Sequence, residues 1–345
     1  EQTAEPANTA AETPASNDDN ASSGVKDLIV GYCEFSIGGS WSVQAQNEFM
    51  ARADELKAEG IISEYYMTDA GGDTTKQVSD MQDLLTKGCN IILVCPGSVE
   101  ALNATIDEAT EDGVAVITFD SQVSTDKVTA AVTSDQALFG KRIGTWLGEQ
   151  LPNGGKVVVL DGEAGASTSI IRSENAIAAM LEVSPNIEIV AQVNANWDYA
   201  TAKAAMEDIL IANPVIDGVL SQGGAMTQAA MDAFAEADRD MVPMTGEDNN
   251  GFLKTWKKYQ AEGFSSIAPG IPTYETAVAL DSAIAYLNGE TLDPIIYVEA
   301  DPITDEDLDS YIREDLADGY WIHSHLSEEK LVALFGEGGS AVNLG

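Results

Sequence analysis

The chain has 345 residues, a length that predicts two domains rather than one core. Its 57 acidic and 17 basic residues give a formal charge of −40, which repels phosphate backbones and argues against nucleic acid as a partner. No apolar run approaches the roughly 20 residues that a membrane-spanning helix requires.

Residues 1–24 contain Ala, Thr, Ser, Asn, Pro and acids but almost no branched or aromatic side chain. Burial of such a segment cannot offset the entropy lost on ordering, so we predict a disordered tether. This composition is typical of the stretch that follows the lipid-bearing cysteine of an exported lipoprotein. We therefore expect an extracytoplasmic protein, either periplasmic or lipid-anchored to the outer face of the cell membrane. A cytosolic tail is the alternative interpretation.

From Val25 onward, short β-branched runs alternate with helical patterns and glycine-rich stops. The first run, DLIVGYCEF, precedes a helix with one apolar stripe, Ala45, Phe49, Ala53 and Leu56, that ends at Glu59-Gly60. The next three strand-like runs are SEYYMTD, NIILVCPG and VAVITFD. The helix after the first of these contains Val78, Met81 and Leu85 and ends at Gly88, and the helix after the second contains Val99, Leu102, Ile106 and Ala109 and ends at Gly113. Strands separated by helices predict a parallel sheet with helices on both faces.

The same alternation begins again after this first half. Its strand-like runs are KVTAAVTSD, KVVVLDG, IEIVAQVN, IDGVLSQGG and MVPMTGED, with a helix after each of the later ones. The sequence therefore predicts an α/β fold of two doubly wound, parallel-sheet, Rossmann-like lobes with a junction near Ser134-Asp135.

Ligands of doubly wound sheets bind beyond the carboxyl ends of the strands. The residues at these ends are Cys33-Glu34-Phe35, Cys95-Pro96-Gly97, Asp120-Ser121, Asp161-Gly162, Asn196-Trp197-Asp198, Ser221–Gly224 and Gly246–Asn250. Trp41 lies one short turn past the first strand, and we predict that it projects over the crevice, where an indole can pack on the C–H face of a sugar. Trp197 has the same placement in the second half.

Other chemistries find little support in the sequence. The two histidines, His323 and His325, lie in YWIHSHL, and we interpret them as an incidental surface pair, so no metal or cofactor is predicted. Neither GEAGAS (162–167) nor SIGGS (36–40) matches GxGxxG, and GxxxxGK[ST] is absent, which disfavours a nucleotide enzyme.

The three cysteines give no clear redox signal. Cys89 and Cys95 lie too far apart on one predicted strand to bridge. Cys33 and Cys95 fall near the ends of neighbouring strands, where a bond is geometrically conceivable, but buried free thiols are the favoured interpretation.

Several stretches, in this order and spacing, resemble the type I periplasmic sugar-binding proteins, the ribose- and galactose-type receptors of ABC importers. They are Ile91–Pro96, VAVITFDS (114–121), AVTSDQALFGKRIG (131–144), KVVVLDGEAGASTS (156–169), SQGGAM (221–226) and TGEDNNGFLK (245–254), within a match over most of residues 26–290. The resemblance implies the type I periplasmic binding protein fold, with three strand crossovers near Ser134, Gly270-Ile271 and Tyr297–Ala300. The lobes would then comprise residues 25–133 plus 271–298, and 134–270 plus 299–345 with the tail.

The resemblance also implies roles for individual residues. Trp41 would stack on the sugar ring, Trp197 would be a second-lobe aromatic, and Asp120 and Asp248 would grip hydroxyls from opposite lobes. The full set of expected ligand contacts is Glu34, Trp41, Cys95, Asp120, Ser121, Trp197, Gln222, Asp248 and Asn249.

This sequence departs from the family pattern at several ligand positions. Gly223 stands where the family has an asparagine, and Gly270 stands where it has the crossover glutamine. Ser121 and Ile170 replace two arginines, and Cys95 replaces a further asparagine. We expect a wider pocket without guanidinium groups, in which burial raises the pKa of at least one carboxyl group or favours a cation. Arg172, two residues past Ile170, could restore one positive group, although its usual counterpart in the family is structural.

The sequence therefore predicts a monomeric extracytoplasmic solute-binding protein that captures a monosaccharide or polyol and delivers it to an ABC permease, with no enzymatic activity. Three alternatives stay open: a receptor for a cationic ligand such as an amino sugar, a chemoreceptor or signalling sensor, and a glycoside-processing enzyme that uses Asp120 and Asp248 as acid and base. A DNA-binding regulator would carry a helix-turn-helix before the first lobe, which residues 1–24 cannot form.

Overall fold

The computed structural model describes residues 25–343, so the predicted tether at residues 1–24 lies outside the described part. The strands are β1 (Leu28–Glu34), β2 (Ile62–Asp69), β3 (Ile91–Cys95), β4 (Ala115–Phe119), β5 (Ala130–Thr133), β6 (Gly155–Asp161), β7 (Ile187–Asn194), β8 (Gly218–Ser221) and β9 (Ile295–Tyr297). The helices are α1 (Ser40–Ala58), α2 (Thr74–Thr86), α3 (Asn103–Glu111), α4 (Gln136–Gln150), α5 (Ser167–Val183), α6 (Tyr199–Ala212), α7 (Gly224–Glu236), α8 (Asn250–Gln260), α9 (Glu275–Leu287), α10 (Leu308–Tyr311) and α11 (Glu328–Phe335), followed by a 3₁₀ turn at Ser340–Asn343. Within the described residues, no helix combines the length and the apolar character needed to cross a bilayer.

The strands form two parallel sheets. One has the order β2-β1-β3-β4-β5-β9, and the other has the order β7-β6-β8. We call the body around the first sheet lobe one and the body around the second lobe two. The prediction of an α/β fold built on parallel sheets is confirmed, because each strand pair within both sheets is parallel.

The chain passes between the lobes at three places. It leaves lobe one after β5, returns before α9, which packs on β4 and β5, and leaves again after β9. Two of these passes run side by side, since the Val298 amide donates to the Thr133 carbonyl at 3.0 Å and the Ser134 hydroxyl donates to the Val298 carbonyl at 2.7 Å. The lobes are therefore joined at one edge.

The apolar stripe of α1 explains why this helix forms and where it packs. All four predicted stripe residues, Ala45, Phe49, Ala53 and Leu56, are buried, and the ring of Phe49 contacts that of Tyr32 of β1 in a tilted arrangement with centroids 4.7 Å apart. The helix ends at a C-cap residue that is followed by Gly60 in the left-handed region (φ 73°), as the glycine stop predicts.

Two predicted elements differ from the structure. Helix α3 begins at Asn103, so Val99 lies in the turn before it. The run MVPMTGED forms no strand but a single parallel bridge between Val219 and Met244. Pro243 has no N–H group to donate to a ladder, and its carbonyl accepts from the Val219 amide at 3.0 Å instead.

Helices α4 and α5 approach each other very closely in lobe two. Three glycines one turn apart on α4, Gly140, Gly144 and Gly148, face α5. A Cβ atom at Gly144 would lie 2.0 Å from the backbone oxygen of Ala176. Because this neighbour is backbone, only glycine permits the observed spacing, and the position of α5 depends on it.

The three cysteines are free thiols. In the β1–β3 register, Glu34 lies opposite Cys95 and Cys33 lies opposite Val94. Successive side chains of a strand point to opposite faces of the sheet. Cys33 and Cys95 therefore lie on different faces, which excludes the conceivable bond between them.

Candidate functional site

A pocket lies between the lobes at the carboxyl ends of the strands. Its empty space, including the open solvent at its mouth, is about 780 Å³. The sequence-predicted contacts that line it are Glu34, Trp41, Cys95, Asp120, Ser121 and Trp197. The strand-end rule thus brings together residues that are up to 163 positions apart, from Glu34 to Trp197.

The two lobes touch directly at one side of this pocket. The hydroxyls of Ser121 in lobe one and Thr168 in lobe two lie 3.0 Å apart, and the Gln122 amide donates to the Ser167 hydroxyl at 2.6 Å. The Thr168 hydroxyl also donates to the Asp120 carbonyl at 3.3 Å. These bonds join the end of β4 to the first turn of α5, so the two lobes are in direct contact beside the pocket.

Trp41 forms one wall of the pocket. Helix α1 begins at Ser40, so Trp41 is the second residue of the helix rather than part of a preceding turn. The ring is partly buried, and its Nε1 donates to the carbonyl of Ile271 at 3.1 Å. This bond ties the indole to one of the chain passes between the lobes and fixes the direction in which its face points.

Trp197 lines the pocket from lobe two in a strained backbone conformation. Asn196 and Trp197 both have positive φ angles, 56° and 52°, which are uncommon for residues with side chains. Two glycines make room for the indole. A Cβ atom at Gly162 would lie 2.1 Å from the ring, and one at Gly223 would lie 2.8 Å from it.

The lobe-one wall carries two carboxyl groups whose pKa values are raised, Glu34 and Asp120. Burial, opposed in part by the hydrogen bond from Tyr32, raises the pKa of Glu34 from 4.5 to about 8. Burial also raises the pKa of Asp120, although the charge of Arg172 opposes the change, and it raises that of the Cys95 thiol. At neutral pH, Glu34 and Cys95 can therefore act as hydrogen-bond donors toward the pocket.

The lobe-two wall contains a buried ion pair. Arg172 and Glu247 are almost fully buried, and their Nη1 and Oε1 atoms lie 2.8 Å apart. Arg172 also donates to the Gln136 side chain at 2.6 Å and to the Gln222 carbonyl at 3.1 Å. Both partners of the pair line the pocket, so the prediction of a pocket without guanidinium groups is wrong.

Three of the predicted ligand contacts do not line the pocket. Asp248 is buried, its Oδ1 accepts from the Ile271 amide at 3.1 Å, and its Oδ2 lies 2.5 Å from Nδ1 of His323. Gln222 donates to Asp161 at 2.7 Å, and Asn249 caps α8 by accepting from Phe252. The expected role of Asp248 in gripping ligand hydroxyls does not fit this geometry, because both of its oxygens are occupied by protein groups.

Two acids that were not predicted line the pocket together with Asp120. Glu247, the residue before Asp248, lines the pocket, and so does Glu163. Burial raises the pKa of Glu163, and the charge of Asp120 raises it further. The acid–base pair of Asp120 with Asp248 that a glycoside-processing enzyme would need is therefore not assembled.

Sequence reasoning missed two pocket residues that do not lie at a strand end, Thr168 and Trp321, and it named Arg172 only as a positive group and not among the expected ligand contacts. Thr168 and Arg172 lie on α5, one turn apart, and the spacing of four places them on one helix face. Trp321 comes from the C-terminal tail and lines the pocket, although it is not among the contacts expected from the sequence. A segment without regular periodicity gives no signal of which surface it covers.

The histidine pair is not an incidental surface feature. His323 contacts Asp248, and His325 stacks on Tyr274 with ring centroids 3.6 Å apart. Burial lowers the pKa of His323, but the hydrogen bond and charge of Asp248 outweigh it, and the net shift is upward. Among residues 25–343, no three His, Cys, Asp or Glu side chains are placed to hold a metal ion.

The free energy of unfolding should fall as the pH rises from about 4.5 to about 8, partly because of Glu34. In this window the folded state holds a proton on Glu34 that the unfolded state has lost, since folding raises the pKa of this group from 4.5 to about 8. Glu34→Gln keeps the hydrogen-bonding capacity without the charge and should flatten this dependence, as measured by urea unfolding across the window.

Glu59→Gln, at the exposed end of α1, is the matched control and should leave the pH dependence unchanged. Glu247 also has a pKa raised by burial, so Glu34→Gln should leave a residual slope. An identical slope in the wild type and in Glu34→Gln would show that Glu34 is already ionised in the folded protein.

Comparison with known proteins places the chain among binding proteins. The family model described as "Periplasmic binding protein domain" matches residues 31–291. A ribose import binding protein of Bacillus subtilis is 26% identical over 226 residues, which cover 65% of this chain and 73% of that protein. A xylitol-binding protein of Mycolicibacterium smegmatis is 27% identical over 260 residues, which cover 74% of this chain and 72% of that protein.

The fold is also that of known solute-binding proteins. The crystal structure of an ABC transporter solute binding protein from Thermobispora bispora superposes with a TM-score of 0.78, at 23% identity, over 91% of this chain and 97% of that one. At this level of identity the likeness concerns the fold, which confirms the predicted architecture.

Proposed function

Because this chain belongs to the periplasmic binding protein family, we propose that it captures a monosaccharide or a related polyol between its lobes for delivery to an ABC importer. The observation that carries the proposal is the pocket itself. It combines two indoles, Trp41 and Trp197, with hydroxyl, carboxyl and guanidinium groups. An indole face packs on the C–H face of a sugar ring, while polar side chains at the rim hydrogen-bond its hydroxyls.

The relatives support the same ligand class. One is named for ribose import and another for xylitol, a cyclic sugar and a linear polyol that share adjacent hydroxyl groups. The Arg172–Glu247 pair supports a neutral ligand rather than a cationic one, because the pocket already contains its own cation. An amino sugar therefore ranks behind neutral sugars and polyols.

Binding would act through closure of the lobes. A ligand that contacts both walls has a higher affinity for the closed than for the open arrangement, and this difference shifts the population. The direct bonds between β4 and α5 support closure, because they can form only when the lobes approach. We propose that the permease recognises this closed arrangement.

The family places the protein outside the cytoplasm. We further propose that it acts as a monomer and that a lipid anchor joined through residues 1–24 holds it at the outer face of the cell membrane, in keeping with their composition. We propose no catalytic activity, and incubation with chromogenic glycosides should give no product.

A thermal-shift screen with D-ribose, L-arabinose, D-galactose, xylitol, myo-inositol and D-glucosamine tests the proposed ligand class. A ligand that binds only the folded state raises the melting temperature by mass action. We expect a selective rise with one or a few of the neutral compounds. A rise with D-glucosamine alone would support the cationic alternative, and no rise with any compound would contradict the proposed ligand class.

Trp41→Ala should weaken binding of the best compound by at least about 1 kcal/mol, or roughly fivefold, with a modest decrease in melting temperature. The ring contributes a stacking surface in the first turn of α1, where it is only partly buried and packs against the edges of two apolar clusters. Isothermal titration calorimetry measures the affinity. Trp41→Phe keeps an aromatic face and is the matched control, which should lose less affinity than Trp41→Ala. Equal affinity of the wild type and Trp41→Ala would exclude Trp41 from the ligand site.

A further inference from the structure

We infer that the C-terminal tail is part of the ligand site. Residues 320–325, here called the tail strip, provide Trp321 as a pocket wall that determines ligand selectivity. The same residues clamp the two lobes together. The selectivity part rests on the proposed function. The match to the family model ends at residue 291, so the tail strip lies outside it.

The tail strip is bound to lobe one through one face of α1 and through Thr273, whose amide donates to the His323 carbonyl at 3.1 Å. Both backbone groups of Trp321 bond to the side chain of Gln44, with the amide donating to Oε1 and the carbonyl accepting from Nε2, each at 2.9 Å. One turn further, Oε1 of Glu48 accepts from the His325 amide at 2.9 Å. Gln44 and Glu48 are both buried, so these bonds are shielded from water.

The same strip is bound to lobe two at the start of α8. The Asn250 amide donates to the Tyr320 carbonyl at 2.8 Å, and the Ile322 amide donates to the Asp248 carbonyl at 3.2 Å. The imidazole of His323 then contacts the Asp248 carboxylate. Six consecutive residues thus bond to both lobes, in addition to the three covalent passes of the chain.

The ring of Trp321 has a defined orientation in the pocket wall. Its Nε1 donates to the Ser40 hydroxyl at 2.9 Å, and Ser40 begins α1, next to Trp41. Both Ser40 and Trp321 line the pocket. An aromatic ring held by a hydrogen bond beside Trp41 narrows the space for a ligand, and its removal would admit larger or differently shaped molecules.

Gly270 makes the contact between the tail and Asp248 possible. A Cβ atom at this position would lie 2.6 Å from the imidazole of His323 and 2.8 Å from the Cβ atom of Ala300. The next residue, Ile271, donates its amide to Asp248 and accepts at its carbonyl from Trp41. A continuous chain of contacts therefore runs from His323 through Asp248 and Ile271 to the pocket.

Selectivity is tested with Trp321→Ala, titrated with D-ribose, L-arabinose, D-galactose, xylitol and myo-inositol. We expect at least fivefold weaker binding of the best wild-type compound and a changed order of affinities across the set. Val332→Ala is the control, because this exposed tail residue lies outside the pocket. If Trp321→Ala fails to fold, Trp321→Leu fills part of the same space. A folded variant with unchanged affinities would overturn the assignment.

Clamping is tested without any ligand, by small-angle X-ray scattering of the wild type, His323→Ala and Val332→Ala. Of these three proteins, only His323→Ala should have a larger radius of gyration than the wild type. Gly270→Ala, which crowds the imidazole, should have the same effect as His323→Ala. Equal radii for all variants would overturn the clamp. A wild type that binds none of the five compounds contradicts the proposed ligand class instead, and the scattering result still decides whether the tail strip holds the lobes together.

Discussion

Replacement of Arg172 by alanine is expected to lower the free energy of unfolding by about 3–5 kcal/mol and to abolish detectable ligand binding. The guanidinium is 2% exposed and pairs with Glu247, which is 4% exposed, so its removal leaves a buried carboxyl group without its partner. Burial already raises the pKa of Glu247 against the effect of Arg172. The variant should therefore lose more stability at about pH 8 than at about pH 5, where protonation removes the unpaired charge.

Urea unfolding measures this loss, with Arg313→Ala as the matched control. Arg313 also pairs with two carboxylates, Asp315 at 2.7 Å and Glu328 at 2.6 Å, but on the surface, where such pairs contribute about 1 kcal/mol or less. The double variant Arg172→Met with Glu247→Leu should recover much of the stability, since no charge stays buried. Equal losses for Arg172→Ala and Arg313→Ala would disprove a stabilising role for the buried pair.

Gly144→Ala should destabilise the protein by about 1–3 kcal/mol, although alanine is the better helix former by about 1 kcal/mol. The added methyl group would lie 2.0 Å from the Ala176 carbonyl, which is backbone and cannot rotate away, so α4 and α5 must separate. Thr168 and Arg172 lie on α5 and line the pocket. We therefore expect weaker ligand binding together with the lower stability.

Gly39→Ala is the control for this substitution. Gly39 precedes α1 with φ −93°, and a Cβ atom there has no neighbour within 4 Å among the described residues. Thermal unfolding of both variants separates the effect of helix spacing on stability from the general effect of replacing glycine. Ligand titration of Gly144→Ala is compared with the wild type, because Gly39 itself lines the pocket. If Gly144→Ala melts at or above the wild-type temperature, the α4–α5 contact is more adaptable than its geometry indicates.

Much of the fold could be predicted because each strand and helix repeats its pattern locally. The stripe of Ala45, Phe49, Ala53 and Leu56 has the helical period, and the strands of lobe one are short apolar runs bounded by glycine and polar residues. The failure at MVPMTGED has an equally local cause. Its residues have strand-like character, but Pro243 cannot donate to a neighbouring strand, and only one bridge forms.

The site could be predicted only where a regular strand determines position. Glu34, Asp120 and Trp197 lie at or shortly after the carboxyl ends of strands, and the shared edge of a parallel sheet brings such residues to one place. Glu247 and Asp248 follow an irregular segment, and the sequence gives no indication of which acid faces the pocket. The contribution of Trp321 depends on side chains of α1 nearly 280 residues earlier in the chain, since its amide bonds to Gln44 with a separation of 277.

The two glycines around Trp197 have a consequence for how this receptor can change over evolutionary time. Gly162 and Gly223 each lack the atom that would collide with the indole, while Trp197 occupies the volume above both. A lineage that enlarges either glycine first displaces the tryptophan, and one that shrinks the tryptophan first opens a void beside both glycines. The three positions, Gly162, Trp197 and Gly223, are therefore expected to change together, and a redesign for another solute should replace them together.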